Sequence, residues 1–397
     1  MDWTESVDDG LVEQLIAWRR ALHTNPELSF EEHETTEFIV RHLEAWNIQV
    51  ERPLPTGVVA HIKGPRPGPT IAVRCDIDAL PIQEENQFDF ASKRLGVMHA
   101  CGHDGHTAVL LGLAKVLSEV QSEIRGEVRL LFQPAEEVVE SGARQFIEKG
   151  VIVGVDAILG LHLMSGIEVG KISLREGAIM ASTDRFKITI TGSGGHGAFP
   201  HQTIDALVIA ASLVGELQTL VSRRIDPLEP SVVSVGSFHA GTAFNVISGR
   251  AELTGTVRSL SETTRNVLES ELKRIAKGHP KAHGATAAVK YERGNPPLVN
   301  NAVLVNYLLP SAAAAVGRDN LSSVPPVMGG EDFAHYSQKI PSVFAFVGSR
   351  NADVGADFPH HHPRFTVDER SLAIGLRYYL DALERTSSAR GALPGAL

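Results

Sequence analysis

The stretch Phe186-Lys187-Ile188-Thr189-Ile190-Thr191-Gly192-Ser193-Gly194-Gly195 decides how the chain is organised. Its apolar residues alternate with polar ones, the period of a strand that buries one face and exposes the other. Glycines then break the pattern, and apolar residues return at helical spacing over 204–221. Two further strand-like runs follow at 232–238 and 251–258, then a helix over 262–277 with Ser261 placed to cap it, then a strand at 287–291. The order β-α-β-β-α-β is the split-βαβ arrangement. Residues 183–295 are therefore expected to form a ferredoxin-like α+β domain of their own.

On either side of this segment the character is different. Short apolar runs at 70–74, 128–132, 157–161 and 343–347 read as buried strands. Between them lie helical patterns at 11–22, 32–46, 107–120 and 302–316. Strands alternating with helices predict an α/β layer fold with a central, mostly parallel sheet. The expected plan is a two-domain α/β protein: a catalytic domain in two parts, 1–182 and 296–397, interrupted by the domain at 183–295. A length of 397 residues agrees, since it exceeds what one core usually organises.

Bulk composition removes several function classes. Lys and Arg number 37 against 47 Asp and Glu, and no basic patch stands out, so no nucleic-acid partner is expected. The first twenty residues carry Asp2, Glu5, Asp8, Asp9 and Glu13 without a long apolar run, which argues against a signal peptide. No segment is expected to span a membrane. Cys75 and Cys101 are too few for a disulfide framework and fit a reducing compartment, so a cytoplasmic location is expected. The tail from Thr386, rich in Ser, Ala and Gly, is expected to fray.

Chemistry concentrates in four places. Met98-His99-Ala100-Cys101-Gly102-His103-Asp104-Gly105-His106 packs one Cys and three His into nine residues ahead of a helix. Gln133-Pro134-Ala135-Glu136-Glu137 follows the run at 128–132, His162 follows the run at 157–161, and His360-His361-His362-Pro363 lies towards the C-terminus. Each residue type has an ordinary explanation alone: a buried inert thiol, surface glutamates, a structural histidine. Ligands of open α/β sheets gather at the carboxyl ends of strands, so these clusters are expected to converge. Convergent imidazole, thiolate and carboxylate donors are what a transition-metal site requires.

These stretches also carry a resemblance. Arg74-Cys75-Asp76-Ile77-Asp78-Ala79-Leu80-Pro81, the string from His99 to His106, Gln133 to Glu137, Gly160-Leu161-His162, Gly195-His196, Asn245-Val246-Ile247, Gly255-Thr256-Val257-Arg258, Gly330-Glu331-Asp332-Phe333 and His361 to Phe365 resemble the M20 metallopeptidase clan. The nearest likeness is to its amidohydrolase branch of hippurate hydrolases, N-acyl-amino-acid amidohydrolases and auxin-conjugate hydrolases. The resemblance implies two divalent ions, Mn²⁺, Zn²⁺ or Co²⁺, held by Cys101, His103, Glu137, His162 and His361. Cys101 would stand between the ions, where much of the clan has an Asp, and Asp76 stands where other branches carry a His. Asp76 and Asp78 would hold the ligands from behind. The middle domain would be a lid through which a homodimer or higher assembly forms.

The implied reaction is hydrolysis of the amide bond of an N-acyl amino acid, a related conjugate or a short peptide. Glu136, beside a ligand but not itself one, would act as general base. His196 would reach a site across the dimer interface and stabilise the developing oxyanion. Asn245 and Arg258 would bind the substrate's carbonyl region and carboxylate, the latter through a planar fork suited to both oxygens. A rival reading makes Cys101 a nucleophile with His103 or His106 as its base, but leaves Glu137, His162 and His361 without a task. Another makes the chain a non-catalytic metal-binding or interaction protein.

Overall fold

The computed structural model describes residues 2–387 together with 393 and 394. The chain separates into two compact units. One comprises Met1–Gly177, Val299–Val324 and His335–Leu397, the other Ala178–Leu298 and Pro325–Ala334.

The first unit is built on an eight-stranded sheet. Its middle is parallel: Arg125–Gln133, Arg66–Asp76, Ala157–Glu168 and Ser342–Arg350 lie side by side in that order. Val58–Lys63 and Gln49–Glu51 extend one edge antiparallel, and Ile172–Ser173 and Leu321–Ser322 extend the other. The central strands are apolar almost without alternation because helices cover both faces. Helix His103–Glu119 shows why a periodicity reading has difficulty here, since nearly every residue from His103 to Leu117 is buried. Asp9–Thr24, Ala302–Val316 and Arg370–Ser387 complete the layers. The last of these is amphipathic and carries Thr386 and Ser387, which the sequence had assigned to a fraying tail. Most of the remaining tail lies outside the described residues.

Two differences from expectation matter for the site. The helix expected from residue 107 starts at His103, because Gly102 takes a φ of 96°, open to glycine, and turns the chain into it. The strand expected to stop at residue 161 continues to Glu168, because Ser342–Arg350 still pairs alongside His162, Leu163 and Met164. His162 is thus a strand residue rather than the first residue after one.

In the second unit, Ser231–Ala240, Arg250–Ser259, Asp184–Thr191 and Thr286–Arg293 form an antiparallel four-stranded sheet. Helices Ala206–Arg224 and Glu262–Ala282 bury Leu213, Leu217, Leu268 and Leu272 against Phe186, Ile188, Ile190 and Leu253. The spatial order second, third, first, fourth is that of the split-βαβ fold. Helix Ala206–Arg224 has the length and, at a mean hydropathy of 1.3, the composition to cross a membrane, while Ile209, Leu213, Leu217 and Leu220 pack into this unit's core. Its buried stripe is apolar, and so are Leu207 and Val208 on the outward side, exposed by 40% and 59%.

Candidate metal centre

The site grows from three backbone features of the first unit. Gly102 delivers Cys101 and His103 at the start of a buried helix. The strand Arg125–Gln133 ends in a loop where Ala135, at φ 55°, turns Glu136 and Glu137 away from the sheet. His361, at φ 66°, is pinned by its N–H to the Ala100 carbonyl at 2.8 Å. Left-handed backbone at non-glycine residues costs roughly 1–3 kcal/mol each and persists where surroundings impose it.

These features bring the five expected ligands together. The ligand atoms of Cys101, His103 and His162 lie within 4.8 Å of one another, as do those of Cys101, Glu137 and His361. Cys101 is common to both groups. His162 Nε2 lies 3.5 Å from the Cys101 sulfur, and His361 Nε2 3.2 Å from Glu137 Oε1. Glu136 groups with His103 and Glu137 in the same way.

Hydrogen bonds fix the imidazole tautomers. His103 Nδ1 donates to the Asp78 carbonyl at 2.9 Å and lies 3.2 Å from its Oδ1, while His103 Nε2 is buried without a hydrogen bond. His162 Nδ1 donates to the Leu163 carbonyl at 3.0 Å, leaving Nε2 towards the sulfur. With both rings neutral, as metal binding requires, the two Nε2 lone pairs face a thiol and carboxylates, the donor set of a divalent transition metal. Asp78 does more than hold His103: its Oδ2 accepts from Ser29 Oγ at 2.7 Å and from the Glu137 N–H at 3.1 Å.

Asp76 accepts from Arg74 at 2.8 Å and from His106 Nδ1 at 2.6 Å. His106 Nε2 in turn accepts the Leu163 N–H at 2.9 Å. Both nitrogens of His106 are thereby used, so it supports His162 (ring centroids 4.6 Å apart) and has no lone pair for a metal. His360 Nε2 likewise accepts the Ser165 N–H at 3.2 Å.

Electrostatics favour a cation here. Burial opposes charging His103, yet the carboxylates of Asp76, Asp78 and Glu137 push its pKa up to about 10. Burial, followed by Glu137, Glu136 and Asp76, drives the Cys101 thiol well above its ordinary value. Such a thiol stays neutral unless a bound metal ionises it, which weakens the cysteine-nucleophile reading.

The family described as Peptidase family M20/M25/M40 matches residues 72–385. The chain belongs to this family. As an M20 protein it is a metal-dependent hydrolase of amide C–N bonds. It is 52% identical to an N-acyl-L-amino acid amidohydrolase of Geobacillus stearothermophilus over 74% of this chain and 79% of that one. It is 44% identical to an N-acetylcysteine deacetylase of Bacillus subtilis over 93% and 95% of the two chains. The solved YXEP protein of Bacillus subtilis, a dinuclear metal-binding peptidase of the family, superposes with a TM-score of 0.82 at 40% identity, covering 95% of this chain and 98% of its own.

The other expected site residues of this M20 chain lie in its second unit. The pair Gly195–His196 bonds antiparallel to Val246–Ile247, which places Asn245 next to His196 in the ladder. His196 is exposed and its Nδ1 accepts the Ala198 N–H at 3.1 Å. Arg258 stands opposite Val232, half-buried and without an ion pair among the described residues, and burial lowers its pKa. Ser29, His106 as a strut, and Glu32 were not among the residues expected at the site. The His103-to-His106 spacing along one helix face carries a signal for His106. Ser29 and Glu32 have none, since their partners are remote in the chain.

Proposed function

We propose that this M20 protein hydrolyses the amide bond of N-acyl amino acids at a two-metal centre held by Cys101, His103, Glu137, His162 and His361. The observation that carries the reading is the pair of donor groups sharing Cys101 with Glu136 beside them. Two divalent ions at that place would lower the pKa of water and polarise a carbonyl. Glu136 takes the proton of the attacking water and delivers it to the amine nitrogen as the C–N bond breaks, leaving a carboxylate and an amine. Asp78 and Asp76 keep the ligands in place. Arg258 offers its guanidinium to the substrate carboxylate, Asn245 steadies the carbonyl region, and His196, donated by a partner copy, stabilises the oxyanion. The outward apolar side chains Leu207 and Val208 support a homodimer through the second unit. The unpaired thiols of Cys75 and Cys101 fit a reducing, cytoplasmic setting.

The test is a panel of N-acyl amino acids, their amides and dipeptides, assayed on metal-stripped protein before and after adding Mn²⁺, Zn²⁺ or Co²⁺. Activity should appear only with metal, and Glu136→Ala should bind metal while falling below about a tenth of wild-type kcat. Arg258→Ala should raise KM for the acids more than for the amides. Full activity in stripped protein would return Cys101 as the nucleophile.

A further inference from the structure

Glu32 occupies the N-cap position of helix His33–Ala45 and makes no capping hydrogen bond with its side chain. That duty falls to Glu27, whose carboxylate accepts the Thr35 N–H at 2.8 Å and the Glu34 N–H at 3.2 Å. Glu32 is fully buried, and its Oε1 accepts the Ala135 N–H at 2.9 Å. The other oxygen is buried without a well-formed hydrogen bond, with the Thr56 hydroxyl beside the carboxyl. Burial and then the charge of Asp78 push the Glu32 pKa up to about 7. A carboxyl is an expensive way to fill space in a protein interior, so its contact with the remote Ala135 N–H needs a reason.

That contact lies beside Glu136. Ala135 is in left-handed backbone, and its carbonyl accepts the Gly142 N–H at 2.9 Å, closing the loop. Gly142 can make this approach only as glycine, since an added Cβ would collide with the Pro134 carbonyl. Asp78 takes the Glu137 N–H. The peptide N–H groups on either side of Glu136 are thus each held by a buried carboxyl from a different element. We propose that Glu32 is a positioning residue for Glu136, fixing through the Ala135 N–H the turn on which the proton-transferring carboxylate stands. This rests on the assignment of Glu136 as the base.

The experiment uses the metal-loaded full chain carrying Glu32→Gln or Glu32→Asp, alone and combined with Glu136→Ala. The Gln variant keeps an acceptor at the same reach and should retain kcat within about threefold; the Asp variant, one methylene shorter, should fold, bind both metals and lose kcat about tenfold or more with KM within about twofold. In the Glu136→Ala background the Asp variant should cause no further loss, because residues acting as one unit are not additive. A Gln loss as large as that of Asp, an Asp variant at wild-type kcat, an Asp variant that unfolds or loses metal, or additive losses would each overturn the proposal. If Glu136→Ala alone kept more than about a tenth of the rate, the base assignment would fall and this proposal with it. Failure of the Glu32 variants beside an inactive Glu136→Ala would overturn the positioning role alone.

Discussion

Both ring nitrogens of His106 are committed, one to Asp76 and one to the backbone N–H of Leu163, so its contribution to the centre is mechanical. His106→Ala should leave the fold intact and weaken metal affinity by about 10- to 100-fold, the usual cost of removing a group that orients a ligand, measured by chelator competition. Unchanged affinity would mean that His162 holds its orientation unaided. Glu32 makes a prediction about pH. Its folded pKa of about 7 lies above the ordinary 4.5, so the protonated form is the one favoured in the folded state. The associated stability is complete below pH 4.5 and is lost as pH rises through 7. Glu32→Gln removes this dependence. Relative to wild type, it should gain up to about 3 kcal/mol between pH 5 and pH 8 in denaturant unfolding; a constant difference would show that Glu32 does not titrate with folding. As candidate ligands, Cys101, His103 and Glu137 were legible in the sequence because each lies in a short string dense in donor atoms. Glu32 was not, because its partner Ala135 is 103 residues away and only the folded sheet brings them together.

The second unit is fastened at one carboxylate. Buried Asp184, at the start of its strand, accepts from Arg265 Nη2 at 2.6 Å, Arg265 Nε at 3.0 Å, the Tyr291 hydroxyl at 2.7 Å and the Gly294 N–H at 3.2 Å. One residue thus joins the first strand, the second helix and the end of the last strand. Asp184→Ala would leave a buried guanidinium without its main counter-charge, and should cost about 3–5 kcal/mol in denaturant unfolding. A loss below about 1 kcal/mol would mean that Glu262, 2.8 Å from Arg265, suffices. Elements of this unit were readable because alternation and helical spacing are distinct wherever one face meets solvent. In the first unit both faces of the sheet are covered, so the period is lost and boundaries shift, as at His103 and His162. The helix Arg370–Ser387 carries a clear stripe at Leu372, Leu376, Tyr379 and Leu383 and was open to the same reading.

At the scale of the molecule, the proposed role of His196 can be tested by asking whether it acts in its own chain or in a partner copy. Within the second unit this exposed ring accepts the Ala198 N–H and lies against Phe199, ring centroids 5.3 Å apart, and the sequence resemblance assigns it to a neighbouring copy. Trans action makes a quantitative claim that cis action does not. Glu136→Ala and His196→Ala homodimers should each be nearly inactive, for different missing groups. After subunit exchange, a mixed dimer has one centre with neither group and one with both: Glu136 from its own chain and His196 from the partner. Random exchange makes half the dimers mixed, with one working centre each, so an equimolar mixture should recover about a quarter of wild-type activity. Exchange must be verified separately by mass-tagged subunits. If exchange is complete and activity stays at the sum of the two mutants, His196 acts within its own chain. In that case a monomeric variant carrying Val208→Lys should be as active as wild type, whereas trans action requires monomers to lose the His196 contribution of roughly 3 kcal/mol. The two experiments answer the same question from opposite directions, since one restores the partner's ring and the other removes the partner.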